Sequence, residues 1–113
     1  MSQTIFTKII KREIPADIVY EDDHALAFRD IAPQAPLHVL VIPKEPIDML
    51  SSAQSEHQAV LGHLMLTAAK VAQQEGYGDA FRLVVNNGEG AGQTVFHLHL
   101  HVLGGRSLSW PPG

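Results

Sequence analysis

The residues best placed to do chemistry are three histidines at alternate positions, in His97-Leu98-His99-Leu100-His101-Val102-Leu103. On a β-strand successive side chains point to opposite faces. A strand here puts the three imidazoles on one face and Leu98, Leu100 and Val102 on the other. Three uses compete on this spacing. Imidazoles two residues apart on a strand can bind zinc, with His38 as a further donor but no strong fourth-ligand pattern. A structural use demands a hydrogen-bond partner for each buried ring. A catalytic use takes one ring as nucleophile or base, while its neighbours set tautomer and charge.

The surrounding chain adds candidates. Asn87 to Thr94 is glycine-rich, with Gly88, Gly90 and Gly92 at alternate positions. Such a loop can turn backbone N–H groups toward an anion. A strand pattern follows it rather than a helix, so it is not a dinucleotide fingerprint, and no Gly-Lys-Ser/Thr is present. An anion held there would lie near the imidazoles. Asp30, before the stiff Ala32-Pro33-Gln34-Ala35-Pro36 loop, is either a turn cap or an acceptor for ribose hydroxyls. His38 is either an edge histidine or part of a site. Lys8, Lys11 and Arg12 fit a solvated helix face better than a phosphate contact. Asp22, Asp23 and His24 fit a turn, although the two carboxylates could hold a metal. His57 and His63 are expected at exposed or rim positions.

The elements that must position these groups follow from apolar periodicity. Residues 4–12 predict a short helix with Ile5, Phe6, Ile9 and Ile10 on one side, ended by Ile14-Pro15. Ile18 to Tyr20 and Ala25 to Phe28 predict a hairpin. His38 to Pro43 is almost continuously apolar, which predicts a buried strand. Residues 53–75 predict the main helix, with Ser55 as N-cap and Gln58 three residues on. Its core face is Val60, Leu61, Leu64, Met65, Ala68, Val71 and Ala72, and Gly76 and Gly78 stop it. Phe81 to Asn86 and the histidine segment are two further strands. The Gly104–Gly113 tail is irregular, and its Trp110 must fold back or reach a partner subunit.

Composition bounds the class. The chain has 113 residues, 45% hydrophobic and 18% charged, which fits one globular domain. A formal net charge of −4 argues against a nucleic-acid binder, but not against a nucleotide held by backbone amides. With no cysteine, disulfides and thiolate chemistry are excluded. No apolar segment approaches membrane-spanning length. The start lacks a signal-peptide pattern, so the expectation is a cytoplasmic protein.

The His-φ-His-φ-His-φ-φ segment resembles the signature of the histidine-triad (HIT) family. The rest of the chain is similar to its Hint branch, the histidine-triad nucleotide-binding proteins. The likeness runs through Ile14-Pro15-Ala16, Glu21-Asp22-Asp23, Pro33-Gln34-Ala35-Pro36, Leu61-Gly62-His63-Leu64-Met65, Val84-Val85-Asn86, Gly92-Gln93, Leu103-Gly104-Gly105-Arg106 and Trp110-Pro111-Pro112-Gly113. It implies an α+β fold with a five-stranded antiparallel sheet, one long helix and a short N-terminal helix, as a single domain over 1–113. It also implies a homodimer whose helices pack together and whose sheets join.

The resemblance implies hydrolysis of purine nucleoside 5′-phosphoramidates through a nucleotidyl-histidine. His99 matches the nucleophile, His97 and His101 the outer triad positions, and His38 a fourth active-site histidine. Asp30 matches the ribose-binding acid, and Ile5, Phe6, Phe28 and Ile31 the base pocket. Asn86, Gly92 and Thr94 match positions near the phosphate. Trp110 matches a tail residue that lines the partner's site. Thr94 stands where relatives often carry Ser, and Pro43-Lys44-Glu45-Pro46 lacks a His common near its end. The scheme needs no metal or other cofactor, and no nucleic acid or membrane. Hydrolysis of dinucleoside polyphosphates, and nucleotide sensing with partner binding, are the alternatives.

Overall fold

The computed structural model describes residues 3–113. Met1 and Ser2, the first residues of the expected domain, lie outside the described residues. A five-stranded antiparallel sheet is built from β1 (Ile18–Glu21), β2 (Ala25–Arg29), β3 (Leu37–Pro43), β4 (Phe81–Val84) and β5 (Leu100–Gly104), in the order β1-β2-β3-β5-β4. Helix α1 (Ile5–Ile10) precedes the sheet and α2 (Gln58–Gln74) connects β3 to β4. This is the expected α+β architecture.

The continuous apolar character of β3 has a two-sided cause. Val39 and Val41 pack with Leu64, Ala68, Val71 and Ala72 of α2. Leu40 and Ile42 pack with Leu26 and Phe28 of β2 and with Phe6 and Ile9 of α1. Each sheet face therefore has its own apolar cluster, and alternate residues of β3 serve each. Leu98, Leu100 and Val102 join the α2 side, as alternation predicts.

The helix ends differ in detail from the sequence expectation. Thr4 caps α1, its hydroxyl accepting from the N–H groups of Phe6 and Thr7. The helix ends before Ile14-Pro15. Arg12 adopts a left-handed φ of 64°, Arg12 N–H bonds Ile9 O, and Glu13 N–H bonds Lys8 O. These paired bonds satisfy the last carbonyls four residues sooner than proline would. Helix α2 starts at Gln58 rather than 53, because Ser55–His57 forms a 3-10 turn. Gln54, not Ser55, begins that turn, with its N–H donated to His57 Nδ1. Gly76, at φ 92°, closes α2 as expected, with Tyr77 N–H bonded to Ala72 O. Met65 is not in the core: it is 59% exposed beside Leu66, which is 73% exposed. Leu64 takes the inward position, and Met65 lies about 100° further round the helix.

Candidate active site

The β3–β5 register builds the centre of the site. Leu40 faces His101 across the ladder and His38 faces Leu103. His38 and His101 are thus diagonal neighbours on the α1 face of the sheet, and His38 Nε2 lies 2.9 Å from His101 Nδ1.

His97 and His99 are not in the strand, contrary to expectation, since β5 begins only at Leu100. The register that pairs Val41 with Leu100 would next pair Pro43 with Leu98, and proline has no N–H for the ladder. Other bonds hold the segment beyond that point. His97 Nε2–H is donated to Pro43 O at 2.7 Å, and Leu98 N–H to Ile47 O at 2.7 Å. His99 Nδ1–H is donated to the carbonyl of His97 at 2.7 Å. The triad therefore divides. His99 and His101 line a cavity of about 440 Å³, whereas His97 is buried away from it as a tie to the end of β3.

The hydrogen bonds assign the tautomers. A neutral imidazole has one donor and one acceptor nitrogen. Gln34 N–H donates to His38 Nδ1 at 3.0 Å, so His38 carries its proton on Nε2. That proton faces His101 Nδ1, which must accept, leaving His101 with a proton on Nε2. Asp30 Oδ2 stands 3.4 Å from His38 Nε2 and supplies negative charge to the pair. His99 is the opposite tautomer: with Nδ1–H committed to His97 O, its Nε2 keeps a lone pair. All four imidazoles hold protons less readily than ordinary histidine, burial being the main cause. For His101 the neighbouring His99 and His38 add to burial, and the value falls to about 4.

The cavity wall collects most of the expected residues. Ile5 and Phe6 come from α1, Phe28, Asp30 and Ile31 from the end of β2 and its loop, and Asn86, Gly92 and Thr94 from the β4–β5 connection. Phe6 packs edge-on to His99, with ring centroids 5.0 Å apart. Ile31 is 98% exposed at the mouth. Trp110, 82% exposed, contributes nothing to this cavity. Leu40, Val95 and the Ile14–Ala16 turn also line it and were not foreseen. Alternation from His38 could have found Leu40, but the turn reaches the site only because α1 lies across this face of the sheet. Asp30 is the turn cap of its loop, Oδ1 accepting from Ala32 N–H, while Oδ2 faces His38.

The glycine-rich loop is a turn largely closed on itself rather than an open nest. Residues Glu89–Ala91 form a 3-10 turn, and the chain's own acceptors take the N–H groups of Gly88, Ala91, Gly92 and Gln93. Among the described residues, the Thr94 N–H and hydroxyl and the Asn86 amide make no hydrogen bond. Asn86 and Thr94 both line the cavity wall. Strand β4 ends at Val84, two residues short of expectation, which frees Asn86 to turn toward Gly92.

Asp30, His38 and His101 form a group of possible metal ligands among the described residues, with ligand atoms all within 4.8 Å of one another. The hydrogen bonds oppose that use. A cation on His38 Nε2 would require the proton to move to Nδ1, where it would meet the donating N–H of Gln34. The acidic turn is accounted for as well: Asp22 Oδ1 accepts from His24 and Ala25 N–H, and Oδ2 meets the Tyr20 hydroxyl and His63. His57 pairs with Glu45, far from the cavity in role.

The HIT domain profile matches residues 11–108. A HIT-like protein of Synechococcus elongatus is 67% identical over 110 residues, covering 97% of this chain and 96% of that protein. A 14 kDa zinc-binding protein of Zea mays is 53% identical over 114 residues, covering 99% and 89%. Among solved structures, a HIT family hydrolase from Legionella pneumophila superposes with a TM-score of 0.95 at 47% identity, over 98% of this chain and all of that one. One from Clostridium thermocellum gives 0.92 at 44%, over 96% of each. No helix among the described residues is long and apolar enough to cross a membrane. With a profile spanning most of its length and relatives this similar from end to end, the chain belongs to the HIT family and has the fold of its hydrolases.

Proposed function

We propose that this single-domain chain hydrolyses purine nucleoside 5′-phosphoramidates, as a Hint-branch member, through a covalent nucleotidyl-His99. The observation that carries the reading is the fixed tautomer of His99: a ring whose Nδ1–H is tied to a backbone carbonyl and whose Nε2 lone pair belongs to a cavity wall. Phe6, Phe28, Ile5 and Ile31 offer apolar surface for a base, and Asp30 a carboxylate for ribose hydroxyls.

His99 Nε2 attacks the α-phosphorus of the substrate protonated from solvent on its amine nitrogen, and the P–N bond breaks to release the neutral amine. The His101 Nε2–H, set by His38, and the Thr94 and Asn86 groups are hydrogen-bond donors for the phosphoryl oxygens. Water then attacks phosphorus, the P–N bond to His99 breaks, and nucleoside monophosphate departs with His99 neutral again and one proton returned to solvent. Net consumption is one water per phosphoramidate, yielding one amine and one monophosphate. His97 and His38 act from behind as positioning residues. The maize relative's name raises zinc as a second reading, which the His38–Gln34 bond disfavours. No step here uses a metal.

A homodimer completes the reading. The exposed Met65 and Leu66 on α2 and the unpaired edge of β4 supply an apolar face and a strand for a second copy. Trp110 on the tail would then reach the partner's cavity.

The test is a single turnover of adenosine 5′-phosphoramidate, quenched and analysed by mass spectrometry of intact protein and peptides. A nucleotidyl adduct on His99 is the expected result. Hydrolysis with no adduct at any quench time, and a steady-state rate that His99→Ala leaves unchanged, would remove His99 from the mechanism.

A further inference from the structure

We infer that Gln93, which touches no substrate, is the positioning residue for the phosphate half of the site. This inference rests on the nucleotide reading above. Gln93 is 1% exposed, and its side-chain amide makes three hydrogen bonds. Oε1 accepts from Gly88 N–H at 2.8 Å. Nε2 donates to Asp48 O at 2.8 Å and to Val95 O at 3.0 Å. The backbone N–H of Gln93 returns to Gly88 O at 3.0 Å, so Gly88 and Gln93 close the glycine-rich loop reciprocally.

The position of these bonds gives them their role. Gly92 and Thr94, on either side of Gln93, both line the cavity, while the Gln93 side chain points away into the protein. Gly92 is left-handed at φ 97°, a conformation the loop must be held to adopt. The carbonyls of Pro43, Ile47 and Asp48 receive His97 Nε2–H, Leu98 N–H and Gln93 Nε2–H in turn. Gln93 is therefore the end of a three-point tie between 93–98 and 43–48. It fixes the Thr94 end as His97 fixes the His99 end. With the N–H groups of Gly88, Ala91, Gly92 and Gln93 consumed internally, and Gly92 and Thr94 the loop residues on the cavity wall, the placement of the Thr94 N–H and hydroxyl decides whether this side of the site can hold a phosphoryl oxygen. The base and ribose groups on α1 and β2 do not depend on the tie.

The experiment measures binding of AMP and of adenosine by calorimetry, and phosphoramidate kcat and KM, in the full chain and in Gln93→Met and Gln93→Glu. Methionine keeps the length and removes all three bonds. Glutamate keeps the acceptor, but as a carboxylate it cannot donate to Asp48 O and Val95 O, whereas its protonated form regains one donor. The expected result is adenosine affinity within about twofold of the parent, AMP affinity down by about tenfold or more, and reduced kcat in both variants. Gln93→Glu should recover activity relative to the parent as pH falls from 8 to 5.5, since burial raises a carboxyl's pKa. Should Gln93→Met fail to fold, the pH recovery of Gln93→Glu carries the test alone. If the parent prefers AMP over adenosine and the variants keep that preference, with Gln93→Glu showing no recovery, Gln93 is only structural and the inference falls. If the parent itself binds AMP no better than adenosine, the nucleotide reading fails and this inference fails with it.

Discussion

Acid should destabilise this protein well above the pH at which ordinary carboxylates protonate. The cause is the buried imidazole group of the site. His101 titrates at about 4 in the fold against 6.5 for ordinary histidine, because of burial and its neighbours His99 and His38. Between pH 6.5 and about 4 the unfolded chain therefore holds more protons than the folded one, and stability falls as pH falls. A difference of about 2.5 units at 1.36 kcal/mol each makes the His101 contribution on the order of 3 kcal/mol, complete above pH 6.5 and gone below about 4. His38, His97 and His99 shift in the same direction and add to the slope. Asp22, held low against its burial by bonds from His24, Tyr20, His63 and Ala25, contributes with the usual carboxylate sign. Its stabilisation is intact above its ordinary 3.8 and is lost only in stronger acid, so it does not blur the histidine window. The assay is urea denaturation at half-unit pH steps from 7.5 to 4, in the parent and in His101→Gln. The variant should lose about 3 kcal/mol of the pH-dependent change, whatever its stability at pH 7. Equal slopes in the two proteins, or a flat parent profile, would refute the assignment of a neutral, proton-resisting His101.

Three further outcomes follow from the same structure. His99→Ala should lower phosphoramidate turnover by more than about 10³-fold while AMP affinity stays within a few-fold, and His101→Ala should cost less, about 10²-fold, in steady-state kinetics. Leu98→Ala removes a buried side chain between the two outer histidines, from the cluster shared with α2. It should cost about 2–5 kcal/mol in urea denaturation. Leu66→Glu, on the exposed face of α2, should convert the proposed dimer to monomer in sedimentation velocity, and an unchanged mass would place the dimer contact elsewhere.

Much of the site was legible because its signals are local. Alternation alone assigned Leu98, Leu100 and Val102 to the core and identified the histidine face, and the two-sided burial of β3 follows from its unbroken apolar run. Resemblance then named the cavity residues, ten of which share one wall in the fold: Ile5, Phe6, Phe28, Asp30, Ile31, Asn86, Gly92, Thr94, His99 and His101. What misled the reading was also local. Met65 sits on the helical period but one step outside the core face, and a glycine-rich loop looks open whether or not its own carbonyls consume its N–H groups.

The sequence by itself determined the residue types, the strand period and the helix faces, because these depend on a few bonds of chain geometry. Only the tertiary structure decided the chemistry of each ring. Which nitrogen of His99 or His101 carries the proton depends on a carbonyl two residues back, a backbone N–H at Gln34 and a ring 63 positions away, and no local pattern encodes those meetings. The same holds for the break between His99 and Leu100. An alternating pattern calls for a strand through His97, but continuing the register would set Leu98 opposite Pro43, and that partner is known only once β3 and β5 lie side by side.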